Sequence, residues 1–160
     1  MRLEASCHCG AVGFTVESPH PVPYQLCYCG ICRKTQGGSG ATINISARAD
    51  TLAVTGREHT RVYHARLRDG DETRISTAER VFCGLCGSAL WLFSPEWPEL
   101  IHPFASAIDG KLPRAPEHTH MMLGSRPSWV QADIAEHDLC FDEYPDESIA
   151  AWHERTGMTR

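Results

Sequence analysis

Three cysteines fall within six positions of the stretch CYCGICRKTQGG: Cys27, Cys29 and Cys32. Two further pairs, Cys7-x-Cys9 and Cys83-x2-Cys86, flank it in the chain, and Cys140 stands alone. The thiols of Cys7-x-Cys9 and of Cys27-x-Cys29 are too close for a relaxed disulfide within the pair and suit chelation of one ion. Structural zinc sites close with four ligands, whereas catalytic ones keep three protein ligands and an open position. Seven clustered cysteines divide most simply into four and three. Cys7, Cys9, Cys83 and Cys86 then form a closed four-thiolate site that pins the N-terminal strand to the middle of the chain. Cys27, Cys29 and Cys32 form a second site with one vacancy. Other partitions stay open on spacing alone: the trio and one pair sharing a single zinc, or Cys27 and Cys29 combined with Cys83 and Cys86. Each cluster carries glycine, at Gly10, Gly30, Gly84 and Gly87, where a tight backbone turn lets thiolates converge.

The ligand type narrows the chemistry. Hydrolytic zinc is best served by neutral imidazoles, which leave the ion positive enough to acidify water. Three thiolates outweigh the charge of the ion, so such a centre is poor at making hydroxide and better at holding a soft fourth ligand. The vacancy therefore points to a thiol-bearing substrate or carrier. Arg33 and Lys34 beside the trio are a solvated face, a means of raising the thiolate fraction nearby, or a contact for a substrate carboxylate. His118 and His120 would share one face of a strand; surface or satisfied core histidines are the commoner case. Cys140 is expected to fill a core position as a small hydrophobe.

The elements that must carry these residues read as short strands. In AVGFTVE, Val12, Phe14 and Val16 share a face; in ATINIS, Ala41, Ile43 and Ile45 do the same; RVYHARL and SALWLF are further candidates. SPHPVP, QGGSG and RDGDE carry turn chemistry between them, and SPEWPEL is loop-like. Only DESIAAWHERTG reads as a helix, with Asp146 as its cap and Gly157 as its end. The class is mainly β, and 160 residues fit one domain spanning the whole chain. A net charge of −5 and scattered basic residues argue against nucleic acid as a partner. No apolar run approaches a membrane span, and MRLEASCHCG lacks a signal-peptide core. Eight cysteines without a secretory signal suit a reducing, cytoplasmic setting.

The three clusters in order, CHCGAV, CYCGICRKTQGG and FCGLCGSAL, resemble the glutathione-dependent formaldehyde-activating enzyme family, whose domain also occurs in centromere protein V. The closing stretch HTHMMLGSRPSWVQADIAEHDLCFDEYP resembles the family's more loosely, so the resemblance spans about residues 3 to 145. FASAIDG departs from the glycine-rich turn expected before the family's aspartate. The resemblance implies a β-tent of antiparallel sheets around a structural zinc on Cys7, Cys9, Cys83 and Cys86. It implies a second, catalytic zinc on Cys27, Cys29 and Cys32. The implied activity is the joining of formaldehyde to glutathione as S-hydroxymethylglutathione, formally a carbon–sulfur lyase in reverse.

On that reading glutathione and an aldehyde are the partners. Arg33 and Lys34 are candidates for the glutathione carboxylates, Gly37 and Gly38 for backbone N–H contacts, and His120 and Tyr28 are conceivable proton carriers. Two rivals stand beside it: a thiol carrier without turnover, and a zinc-stabilised interaction module. Trp97 and Trp129 would suit a homodimer interface, although tryptophan is more often packed inside.

Overall fold

The protein is described here from a computed structural model, which describes residues 1–158. In chain order the elements are β1 (Arg2–Ser6), β2 (Gly13–Glu17), β3 (Tyr24–Cys27), α1 (Gly30–Gln36), β4 (Thr42–Asn44), β5 (Ala47–Arg48) and β6 (Ala53–Thr55). They continue with β7 (Thr60–Asp69), β8 (Glu72–Cys83), β9 (Ala89–Phe93), β10 (Leu100–Pro103), β11 (His118–Met121), β12 (Leu139–Cys140) and α2 (Ile149–Arg155). The class is mainly β. Three sheets result, ordered β1-β2-β6, β5-β10-β9-β8-β7 and β12-β11-β3-β4.

The first two sheets are antiparallel throughout. The third departs from the antiparallel expectation, because β11 runs parallel to both β3 and β12. Parallel neighbours need a long crossover, and here most of the chain lies between Tyr24 and its partner His118. That pairing joins segments whose short sequences carry no sign of each other.

Alternation sets the faces. In β1, Leu3 and Ala5 are buried while Arg2 and Glu4 face water. In β2, Phe14 and Val16 are buried, and Val12 just ahead of the strand is fully so. These side chains meet Val81, Leu90, Trp91 and Ile101 from the second sheet in one core. The Phe14 and Trp91 rings meet edge to face at 4.9 Å between centroids, joining the two sheets. In ATINIS, Ile45 is wholly buried and Ile43 packs partly on the same core. β7 and β8 form a long hairpin with a two-residue loop, Gly70 and Asp71. Gly70 sits at φ 58, where a hairpin turn matched to strand twist wants a glycine.

The C-terminal helix is shorter than expected, and its cap differs. Ser148, rather than Asp146, caps α2, its Oγ accepting the Ala151 N–H at 3.1 Å. Glu147, which a start at Asp146 would place in the first turn, is instead drawn to Arg155 at 2.9 and 3.0 Å. Gly157 ends the helix as expected, at φ 71, with the Met158 N–H reaching the His153 carbonyl. Trp152 from α2 packs with Val22 and Tyr24 in a second, smaller core.

The helix α1 is unanticipated. It buries only Cys32, so it shows no apolar stripe at helical spacing. Cys140 is also misplaced in the reading above. It is exposed on the two-residue edge strand β12, where Leu139 alone packs inward. No helix among the described residues is long and apolar enough to cross a membrane.

Candidate metal centres

The chain brings its seven clustered cysteines together as four and three. Among the described residues, the sulfurs of Cys7, Cys9, Cys83 and Cys86 lie within 4.8 Å of one another, and so do those of Cys27, Cys29 and Cys32. The partitions that mix the trio with either pair are not what the fold assembles.

The four-sulfur group is built from two similar turns. Cys7 follows β1, and Cys83 ends β8. In the first turn the Cys7 N–H bonds the Val12 carbonyl at 2.9 Å and the Gly10 N–H bonds the Cys7 carbonyl at 3.0 Å. In the second the Cys83 N–H bonds the Ser88 carbonyl at 2.9 Å and the Gly87 N–H bonds the Cys83 carbonyl at 2.8 Å. Gly10 and Gly87 hold φ of 75 and 78, the left-handed region that a side chain resists. Gly84 serves differently: a Cβ there would stand 3.2 Å from the His59 carbonyl oxygen and 2.8 Å from Arg61 Cγ. The Val12 N–H donates to the Cys7 sulfur at 3.2 Å, and the Cys7 and Cys9 sulfurs stand 3.5 Å apart. Cys9 and Cys83, 3.8 Å apart, link the first sheet to the second. The Ser88 hydroxyl and backbone N–H hold the Cys86 thiol down at about 5, which suits a group that must ligate as thiolate.

The trio is local. Cys27 closes β3, Cys29 is the N-cap of α1, and Cys32 lies in its first turn. The Cys32 N–H donates to the Cys29 sulfur at 3.3 Å. Hydrogen bonds from the Cys27 and Cys32 thiols, helped by the Cys32 and Ile31 N–H groups, hold Cys29 at about 2. The same sharing of protons with Cys29 and Cys32, together with burial, drives Cys27 far above the ordinary thiol range. A metal cation bound there would displace the thiol protons. Met121 and Met122 pack against the group.

Behind the trio lies a buried polar chain that sequence reasoning saw only in part. The Tyr28 hydroxyl meets His120 Nδ1 at 2.9 Å, and His120 Nε2 meets Asp138 Oδ2 at 3.1 Å. A carboxylate only accepts, so Nε2 carries a proton, and in that tautomer Nδ1 is the acceptor for the Tyr28 O–H. Asp138 also receives the His118 N–H at 2.8 Å and the Ala135 N–H at 2.9 Å. Burial alone would raise Asp138, but these hydrogen bonds outweigh it and hold the carboxyl well below the usual range. The side chains of His120 and Asp138 are each 1% exposed. Tyr28 and His120 therefore face each other inside the protein rather than a substrate. Asp138 went unmarked in the sequence because a single aspartate in the loop AEHDL carries no spacing signal.

The other singled-out residues surround α1. The Arg33 guanidinium lies over the Trp129 ring at 5.9 Å, and Lys34 is exposed. The Gly37 N–H caps α1 on the Arg33 carbonyl at 3.0 Å; Gly38 is exposed at φ 90. Trp97 and Trp129 are both exposed. Arg80, which drew no notice in the sequence beyond its place in the chain, approaches the Cys32 sulfur at 3.9 Å. It also lines a cleft of about 390 Å³ with Thr35 of α1, Tyr63, Phe82 and Phe104.

Comparison with known proteins agrees with this arrangement. The family model described as glutathione-dependent formaldehyde-activating enzyme matches residues 2–123, which hold all seven clustered cysteines. A Halomonas elongata protein, named a candidate glutathione-dependent formaldehyde-activating enzyme, is 60% identical over 158 residues, covering 99% of this chain and 98% of its own. A crystal structure of a Rhodobacter sphaeroides protein superposes with a TM-score of 0.54 at 29% identity, covering 71% of this chain and 93% of that one. With both cysteine clusters assembled inside the matched segment, the chain belongs to the glutathione-dependent formaldehyde-activating enzyme family.

Proposed function

We propose that this protein is a zinc-dependent enzyme of the carbon–sulfur lyase type that joins glutathione to formaldehyde, giving S-hydroxymethylglutathione, and runs the reverse cleavage. The observation that carries the reading is the trio of convergent sulfurs, with Arg80 standing between the Cys32 sulfur and a cleft that it lines with Thr35, Phe82 and Phe104. The family and the Halomonas relative name glutathione and formaldehyde as the reactants. Cys27, Cys29 and Cys32 would hold the catalytic zinc, and Cys7, Cys9, Cys83 and Cys86 the structural one. Both donor sets fit, being all sulfur and already convergent. Zinc held there would supply the positive charge that favours the thiolate form of a substrate thiol at neutral pH.

The remaining tasks belong to the chain. In the forward direction a carbon–sulfur bond forms between the thiolate and the aldehyde carbon. The carbonyl π pair moves to oxygen, which takes up the proton that the thiol released. No other reactant is needed. Arg33 and Lys34 on α1 supply positive charge on the same helix that carries Cys32. The Asp138–His120–Tyr28 chain fixes the loop between Cys27 and Cys29, holding two of the three sulfurs in place.

Carbon-13 exchange spectroscopy of glutathione with labelled formaldehyde tests the proposal, because it reads formation and cleavage at equilibrium. Zinc-loaded protein is expected to accelerate exchange over the protein-free mixture, and Cys29→Ser to abolish the gain. Glutathione binding without any acceleration would support the carrier reading instead.

A further inference from the structure

After β12 the chain turns back toward the trio. Three backbone bonds hold it against the segment that follows β11. The Leu123 N–H reaches the Phe141 carbonyl at 3.1 Å, the Gly124 N–H the Asp142 carbonyl at 3.1 Å, and the Met122 N–H the Glu143 carbonyl at 2.8 Å. Met122 holds φ 61, alone among the described non-glycine residues in the left-handed region, and it packs against the trio. Side chains resist that conformation, and where it persists the surroundings impose it, most often around a functional site. The bond to Met122 brings Tyr144, next after Glu143, to the edge of the sulfur group, and Pro145 behind it restricts its backbone. Tyr144 is 72% exposed. The hydroxyls of Tyr24 and Tyr28 are engaged inside the protein, by the Pro113 carbonyl and by His120. That of Tyr144 has no hydrogen-bond partner among the described residues. Partial desolvation raises the Tyr144 phenol above its ordinary value, and the charges of Cys27, Cys29 and Cys32 raise it further against the opposing pull of Arg80. A phenol within electrostatic reach of all three sulfurs and of Arg80 stands at the rim of the trio, whose half-buried member is Cys29.

We infer that Tyr144 is a catalytic residue of the thiol site, its hydroxyl donating a hydrogen bond to the aldehyde oxygen as the carbon–sulfur bond forms. The inference rests on the proposed function above and deepens it, by giving the reacting oxygen a donor from the chain. As the thiolate adds to carbon, the carbonyl π pair becomes a lone pair on oxygen. A donor aimed there stabilises the developing charge more than it does the neutral carbonyl, and that difference accelerates the step. The phenol keeps its own proton throughout; the oxygen ends with the proton that the thiol released. In the cleavage direction the same hydrogen bond steadies the alkoxide before the carbon–sulfur bond breaks. A phenol, with an ordinary value of about 10, is a donor at neutral pH. Tyr28, although nearer in sequence, cannot serve in this way because its hydroxyl is committed to His120.

Tyr144→Phe tests the inference, because it removes one oxygen from an exposed ring and leaves the packing of the chain alone. Carbon-13 exchange between labelled formaldehyde and glutathione is followed on zinc-loaded wild type and variant across a range of glutathione concentrations. The maximal exchange rate of the variant is expected to fall about tenfold or more; the loss stays below the 100-fold or more of a fully enclosed donor because water competes at an exposed position. The glutathione concentration at half-maximal rate and the zinc content per chain are expected to stay at the wild-type values, a split that a merely structural role would not give. A variant as fast as the wild type overturns the inference. So does a variant whose loss lies wholly in glutathione affinity or in zinc content, since Tyr144 would then be a binding or supporting group. Each of these outcomes leaves the proposed function standing. A wild type that fails to accelerate exchange defeats the proposed function itself, and this inference with it.

Discussion

The two cysteine groups bring the same kind of donor atom together over very different stretches of chain. The four-sulfur group is long-range: Cys9 and Cys83 meet across 74 positions of sequence, and the turns that carry them end strands of two different sheets. The trio is short-range, packed into one strand end, one loop and one turn of helix. A cluster that ties distant segments together is part of the folding transition. A cluster whose members are already neighbours in sequence contributes little chain constraint, which on the proposed reading leaves it for chemistry. The surroundings differ in the same sense. The four-sulfur group is wrapped by backbone N–H groups and Ser88, whereas the trio is approached by Arg80 and joined through Tyr28 to a buried polar chain.

Substitutions sharpen that contrast, the most severe first. Cys83→Ser is expected to remove metal binding worth about 10 kcal/mol of folding free energy. It should leave no cooperative thermal transition, as followed by circular dichroism. Cys29→Ser should leave the transition within a few degrees of the wild type and lower exchange activity by at least about 100-fold, beyond what loss of an outer supporting group causes. If Cys29→Ser unfolds the protein as Cys83→Ser does, the division of labour is wrong.

Asp138→Asn probes the support behind the trio. It is expected to weaken zinc at the trio by about 10–100-fold, leave zinc at the four-sulfur group unchanged, and cost about 2 kcal/mol of stability. Competition with a chromophoric chelator reads the first two effects, and urea denaturation reads the third. The acid dependence follows from the depressed carboxyl of Asp138. A group held lower in the folded state than its unfolded value of about 3.9 gives its full stabilisation above that value, and loses it as pH falls further. The urea midpoints of wild type and Asp138→Asn should therefore converge below about pH 4; a gap that stays constant would contradict the assignment. The smallest effect is expected for Trp129→Ala, about 0.5–1 kcal/mol, from loss of the Arg33 contact alone.

Much of this was legible in the sequence wherever a signal is local. Alternation in AVGFTVE marked β2, and the spacing of the cysteines with their glycines marked the two groups into which the sulfurs converge. What escaped lies in partners that meet only in three dimensions. The parallel pairing of β11 with β3 joins Tyr24 to His118, and no pattern in either segment announces it. That pairing sets His120 beside Tyr28, and Asp138 completes the chain from a loop of ordinary composition. The helix α1 escaped because its one buried residue is a metal-site cysteine, not part of an apolar stripe. Arg80 escaped because its approach to the Cys32 sulfur joins residues 48 positions apart.

The most direct test of the account is zinc per chain in protein purified under reducing conditions, before and after brief mild chelation. The account predicts two zinc ions, one of which is lost readily together with glutathione binding while the thermal transition persists. A single resistant ion, with the trio never filled, would contradict it.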